Sequence, residues 1–332
     1  MKAKCVVFSM CLVGVLLSGL DSVAQDEPTY AERLGWPKGS KVVIFHIDDA
    51  GMSHDSNQGV SEALAYGIAT STSVMMPCPW VPEFARYAQE HPEADAGIHL
   101  TLTSEWKDYR WGPVAGKGAV PGLVDKEGCL WDNVPLVVMH ATPDEVEKEI
   151  RAQVDRALVI GLKPTHLDSH MGTLFVPPFF ERYLKVGVET GIPILVIGGH
   201  MQFAQQEFPE MMVGAREMAR KVWDAGLPVI DDILAATYDW ANLDEKRAKI
   251  VRTLHTMKPG VIEIIVHCTR PTDMFQYISP SAETRLSDLL VMTDPDTKKV
   301  IEEEGIVLST WRELKQRRDE VAAKPGPPPA GK

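Results

Sequence analysis

Five short stretches of this chain gather the side chains that bind metals and move protons: His46-Ile-Asp48-Asp49-Ala-Gly51, Gly97-Ile-His99-Leu, Thr165-His166-Leu-Asp168-Ser-His170, Asp231-Asp232 and Val266-His267-Cys268. Two adjacent carboxylates such as Asp48 and Asp49 repel if both are buried, and a cation beside them is the natural remedy. Read singly, each stretch has a plainer meaning. An Asp-Asp pair after a strand also serves as a helix N-cap with a solvated neighbour. His99 between Ile98 and Leu100, and His267 after an apolar run, also suit satisfied core histidines. Asp231-Asp232 reads as a cap or a supporting pair. The His166/His170 pair says more, because two imidazoles and Asp168 share one turn-like segment. Taken together, one carboxylate and two imidazoles form a donor set that suits zinc, iron, manganese or a related divalent metal, with positions left for water and substrate. A further carboxylate and histidine would complete the parts for metal-assisted hydrolysis.

Positioning these groups falls to a β/α alternation. Strands are expected at Val42–Ile47, Thr72–Met76, Ala96–Leu102, Pro164–Leu167, Pro193–Ile197, Leu227–Asp231, Val261–Val266 and Gly305–Leu308, with amphipathic segments between most of them. The plainest helix runs from Pro143 to Gly161: Thr142 and Glu145 form a capping box, Pro143 takes the first helical position, and Ile150, Val154, Ala157 and Leu158 form the apolar stripe. Eight strands alternating with helices predict a parallel sheet closed into a (β/α) TIM-like barrel, with room for one irregular unit. No GxGxxG or Walker loop favours an open nucleotide-binding sheet instead. In a barrel the C-terminal strand ends carry the chemistry, and four of the strands end in the groups above. Residues 103–141 form a long Trp-, Gly- and Pro-rich connection, the usual setting of a lid or binding loop. Its Trp106, Trp111 and Trp131 would either face a sugar or pack the loop down.

Of 332 residues, 34 are Lys or Arg and 46 are Asp or Glu, a net charge of −12 with pI ≈ 5.3. Such a chain repels phosphate backbones and anionic lipid, so nucleic acid is not an expected partner. Lys2 and Lys4 precede an apolar run to Leu20, and Ser22-Val-Ala24 offers small residues for cleavage. Residues 1–24 therefore read as a secretory signal, the run being shorter than a spanning helix needs, and a secreted or periplasmic protein free of the membrane after cleavage is expected. Residues 25–40 read as a polar leader, 41–320 as the barrel domain and 321–332 as a Pro-rich tail. Cys78, Cys129 and Cys268 remain beyond the signal with no CxxC spacing, so a thiolate metal site is not expected.

At these residues the sequence resembles the YdjC-like carbohydrate deacetylases, which include chitooligosaccharide deacetylases. The family's Asp-Asp-Phe-Gly opening matches Asp48-Asp49-Ala50-Gly51, and its Gly-Ile-Val-Thr-Ser-Thr-Ser matches Gly67-Ile-Ala-Thr-Ser-Thr-Ser73. Its Gly-x-His-Leu-x-Leu-Thr is Gly97 to Thr103, and its Pro-Thr-His-Leu-Asp-Ser-His is Pro164 to His170 unchanged. In the second half only Glu263-Ile-Ile-Val-His267 resembles a family segment.

The resemblance implies a barrel-like fold and one divalent metal ion, zinc or magnesium, held by Asp49, His99 and His170. It further implies Asp48 as general base and His267 as general acid, with His166 and Asp168 orienting His170 or a substrate hydroxyl; Asp48 and Asp49 are the pair most open to exchange of roles. The family usually continues its fourth-strand motif with His-His-Val-His, where this chain has Met171-Gly-Thr-Leu174. The expected activity is release of acetyl groups from N-acetylated sugars or oligosaccharides by metal-activated water. Two other readings stand beside it: a glycoside hydrolase using two carboxylates across a cleft, and a silent glycan-binding protein on the same fold.

Overall fold

The run Lys41-Val-Val-Ile-Phe-His-Ile47 is β-branched or aromatic at most positions, a pattern that is stable as a strand when both faces are covered. It forms the strand β1 (Lys41–Ala50), buried at every position but the first. The structure, a computed structural model, describes residues 27–240 and 242–323; the expected signal and the stretch from Lys324 lie outside the described residues. Beside β1 stand β2 (Ser71–Val74), β3 (Ala96–Leu100), β4 (Leu167–Ser169), β5 (Asp232–Leu234), β6 (Gly260–Val266) and β7 (Val307–Leu308). The order is β4-β3-β2-β1-β6-β5 with β7 added against the start of β1, and every pairing is parallel.

Helices occupy most of the connections: α1 (Tyr30–Arg33), α2 (His54–Tyr66), α3 (Val81–Glu90), α4 (Val134–His140), α5 (Pro143–Val159), α6 (Pro177–Thr190), α7 (Ala204–Glu207), α8 (Ala215–Asp224), α9 (Leu243–Thr256), α10 (Ala282–Met292), α11 (Pro295–Glu303) and α12 (Trp311–Ala323). The capping box at Thr142 and Glu145 is formed, and Ile150, Val154 and Ala157 are buried. Leu158, expected in the same stripe, is 54% exposed.

The sheet does not close into the expected barrel. Pro193–Ile197 forms no strand; Ile194 bridges Leu167 and Ile197 bridges Ile230 as isolated pairs. Pro193 brings no N–H to a ladder, and Gly198-Gly199 ends the extended run at once, leaving too few residues to pair on both sides. The result is a half-barrel whose open side is spanned by that short segment. The ladder near the expected Leu227–Asp231 strand starts only at Asp232. Asp231 consequently precedes β5 and Asp232 begins it, so neither ends a strand. Asp231 accepts from the N–H groups of Tyr30, Ala31 and Val261, and Asp232 from those of Phe203 and Ala204. Both serve as caps.

The segment before Lys41 is less of a polar leader than its composition predicts, since Tyr30, Ala31, Leu34 and Trp36 are buried. With Trp311 and Leu314 of α12 they join the cluster around Val42, Ile44, Val261 and Ile230. Trp311 donates to Glu263 at 2.7 Å and stacks on His166 with centroids 5.3 Å apart. That stack needs a glycine beneath it, because a Cβ on Gly97 would lie 2.4 Å from the His166 ring. Gly97→Ala is expected to cost about 1–3 kcal/mol by overpacking, read as a lower urea midpoint; an unchanged midpoint would show that the His166–Trp311 stack yields freely.

Candidate metal centre

Along a regular strand Asp48 and Asp49 would point to opposite faces. Here β1 is bulged between Ile47 and Ala50, its partners on β2 being Thr72 and Val74, and Asp49 takes a left-handed φ of 68°. Asp tolerates that conformation better than most residues. Thr72 Oγ1 donates to Ile47 O and Gly51 N to Asn57 Oδ1, pinning the irregular stretch from both sides. Both carboxylates come to line the same cavity.

His99 on β3 and His170 just past β4 meet them. His99 Nε2 and His170 Nδ1 are 3.2 Å apart, and each is 3.5 Å from Asp49 Oδ1. Three ligands about 2.0–2.1 Å from a tetrahedral metal would be separated by about 3.3–3.4 Å. Asp49 Oδ1 is buried and receives no hydrogen bond. Both rings are held from behind: Asp168 Oδ1 lies 2.7 Å from His99 Nδ1, and Glu105 lies 3.0 Å from His170 Nε2. A proton on each of those outer nitrogens leaves the facing nitrogens as lone-pair donors, the arrangement that metal-binding histidines require. The donor set fits a divalent metal.

Charge is balanced on every side. Arg285 Nη2 of α10 sits 2.7 Å from Asp49 Oδ2, and despite burial this cation and His170 hold the Asp49 carboxyl well below its usual range. Burial also works against charge on His170, yet with no metal beside it Glu105 and Asp49 push it up to about 10, a charge that a metal at Nδ1 would displace. His46 is fully buried and its Nε2 lies 2.9 Å from Asp168 Oδ2; the surrounding carboxylates of Glu263, Asp168 and Asp48 outweigh desolvation and raise it well above its usual value. His267 is the opposite case. Burial, then repulsion from Arg285, lowers it to about 4, so it is neutral at neutral pH; its Nε2 is 3.8 Å from Asp48 Oδ2.

The structure therefore brings Asp48, Asp49, His99, Asp168, His170 and His267 to one cavity of about 670 Å3. His166 lies apart from it, under Trp311, with its Nε2 3.6 Å from Asp168. Asp168 orients His99 rather than His170, whose partner is Glu105. Glu105 and Arg285 are absent from the sequence-based candidates, and His46, though part of the first stretch, has no role assigned there. His46 stood two residues before Asp48, at the strand spacing that faces the same way, which was its available signal. Of the three loop tryptophans only Trp106 lines the cavity, while Trp111 donates to Thr103 O and Trp131 to Gly122 O. Cys78, Cys129 and Cys268 are unpaired thiols.

A parallel β/α half-barrel carrying an aspartate–histidine centre at its strand ends defines the class of protein. The chain belongs to the YdjC-like protein family, whose pattern matches residues 42–303. It is 28% identical over 292 residues to the carbohydrate deacetylase of Thermus thermophilus, covering 86% of this chain and 97% of that one. To the chitooligosaccharide deacetylase of Yersinia enterocolitica it is 26% identical over 278 residues, covering 82% and 98%. A solved structure from Enterococcus faecalis, whose name assigns it to cellobiose-phosphate cleavage, superposes with a TM-score of 0.69 at 24% identity, covering 83% of this chain and 99% of that one. That likeness establishes the shared fold.

Removing Arg285 would leave a buried Asp49 carboxylate with no guanidinium. Arg285→Met is expected to destabilise the metal-free protein by about 3–5 kcal/mol, with part of the loss recovered on adding a divalent metal. A loss below about 1 kcal/mol would mean that Asp49 does not need that cation.

Proposed function

We propose that the protein is a metal-dependent deacetylase that hydrolyses the acetamido group of an N-acetylated sugar or oligosaccharide. The observation that carries this reading is the convergence of Asp49 Oδ1, His99 Nε2 and His170 Nδ1 within 3.2–3.5 Å, with Asp48 alongside. Asp49, His99 and His170 would hold one divalent metal, and two imidazole donors favour zinc over magnesium. When bound, that metal would polarise the acyl carbonyl and lower the pKa of water.

Asp48 takes the proton of the attacking water as general base. His267, neutral at rest and 3.8 Å from Asp48, receives that proton and delivers it to the departing amine. Water's oxygen ends on the acetyl carbon as the C–N bond breaks, giving acetate and the free amino sugar. Asp168 and Glu105 keep His99 and His170 in their facing orientation, and Arg285 keeps Asp49 ionised. Trp106 is the aromatic face available to a sugar ring. The names of the curated relatives support a carbohydrate substrate. A glycoside hydrolase has less support, because Asp49 and Asp168 are already committed to a guanidinium and imidazoles instead of facing a glycosidic oxygen. The charged and then apolar start of the chain supports work outside the cytoplasm; among the described residues no helix is long and apolar enough to cross a membrane.

The His99→Ala/His170→Ala double variant is expected to purify without metal by elemental analysis, and full occupancy would refute the ligand assignment. Asp48→Asn should keep its metal while acetate release from N-acetylated oligosaccharides falls about 10²–10⁴-fold. Wild-type turnover in that variant would remove Asp48 from the mechanism.

A further inference from the structure

The cavity is much larger than an acetyl group requires, and its polar residues are unevenly placed. Its carboxylates, imidazoles and guanidinium belong to the centre described above, together with Tyr238 and Ser169 beside it. Elsewhere the wall is hydrocarbon, with Phe175, Phe180, Leu195, Ile197, Ile233 and Met218 prominent in it. About 670 Å3 falls in the range of pockets that bury most of a drug-sized ligand, whereas an acetyl group needs room for a single methyl. Sugar hydroxyls placed against that wall would lose water without gaining partners, at a cost no apolar contact restores. The segment after His170 adds to the wall, since Met171, Gly172 and Phe175 all line the cavity.

We propose that the hydrolysed group is an N-linked acyl chain longer than acetyl, its carbonyl at the Asp–His centre and its hydrocarbon in the apolar part of the cavity. This rests on the amide-hydrolase reading and changes the acyl group it acts on. The bond balance is the same: water's oxygen joins the acyl carbon, the C–N bond breaks, and a fatty carboxylate and a protonated amine leave. No oxidant or reductant takes part. Each methylene buried from water contributes about 0.8 kcal/mol, so kcat/KM should rise about threefold to fourfold per added carbon until the chain fills its space.

The test uses the full metal-loaded protein and glucosamine N-acylated with acetyl, butanoyl, hexanoyl and octanoyl groups, with amine release as the readout. A parallel arm uses the octyl glycoside of N-acetylglucosamine, which carries its hydrocarbon on the other side of the scissile bond. A stepwise rise from acetyl to hexanoyl supports the proposal. A flat or falling series with acetate release intact overturns it and leaves the deacetylase reading standing. A gain confined to the octyl glycoside also overturns it and places the hydrocarbon on the amine side. Release from none of the substrates would remove the hydrolase reading; calorimetric binding of octanoate then decides the cavity, affinity keeping a hydrocarbon occupant and its absence removing that too. Ala215→Leu and Met218→Phe, at two positions of the wall, should each lower the hexanoyl-to-acetyl ratio of kcat/KM toward one. Because the ratio is taken within one protein, loss of folded material does not imitate the result.

Discussion

Three carboxylates, those of Asp48, Asp49 and Asp168, are almost wholly buried at one end of this sheet, and the rest of the site is arranged around that cost. A buried ion without a partner is penalised by several kcal/mol. Arg285 of α10 meets Asp49, His46 of β1 and His99 of β3 meet Asp168, and Asp48 has His46 Nε2 at 3.3 Å and more distant imidazoles beside it. The bulge in β1 raises the demand, since it turns two neighbouring acids toward one cavity. Asp49 Oδ1 accepts no hydrogen bond, and it is faced by two imidazole nitrogens that carry lone pairs when the rings are neutral and their outer nitrogens hold the proton. A divalent cation would resolve that surplus of donors.

The layer beneath keeps the geometry fixed. His46 is held by Ser71 and Ser73 of β2, His166 lies between Gly97 and Trp311, and Trp311 is itself tied to Glu263 of β6. Burial raises the Glu263 carboxyl to about 7 even though His46 pulls the other way. Asp95 caps the start of α12 through the N–H groups of Trp311 and Arg312, which seats the indole at the base of the sheet. Ligand orientation in the cavity is thus set by elements from both ends of the chain, and a metal-binding ring needs this kind of support to stay within a few tenths of an ångström.

How much of this was legible in the sequence follows from the range of the interactions. Asp48, Asp49, His99, Asp168 and His170 were readable because each sits at the end of a strand whose apolar run announces it. Glu105 lies in a connection without periodicity, and its partner His170 is 65 residues away. Arg285 lies on an amphipathic helix, where an arginine ordinarily marks the solvated face. Nothing local reveals that these two turn inward. The leader misled for a related reason: its composition is polar, yet Tyr30, Leu34 and Trp36 share the buried side once Asp231 has capped the turn. Asp231 and Asp232 were misplaced because the apolar run before them looks like a strand, while the paired register begins only after Asp231.

The incomplete closure and the shape of the cavity have one origin. Hydrogen bonds on either side of the 193–197 segment are few: Leu167 N reaches Pro193 O and Leu195 N reaches Leu167 O, while on the far side Gly198 N reaches Ile230 O and Ile230 N reaches Val196 O. A strand with a full ladder would bring its neighbours to about 4.8 Å spacing and leave the interior to be filled by packed side chains. A segment with so few bonds does not draw β4 and β5 together to that extent, and Leu195, Val196 and Ile197 line open space. The proline and the paired glycines that interrupt the ladder thus do more than spoil a symmetric barrel. They leave apolar room next to the polar Asp–His centre.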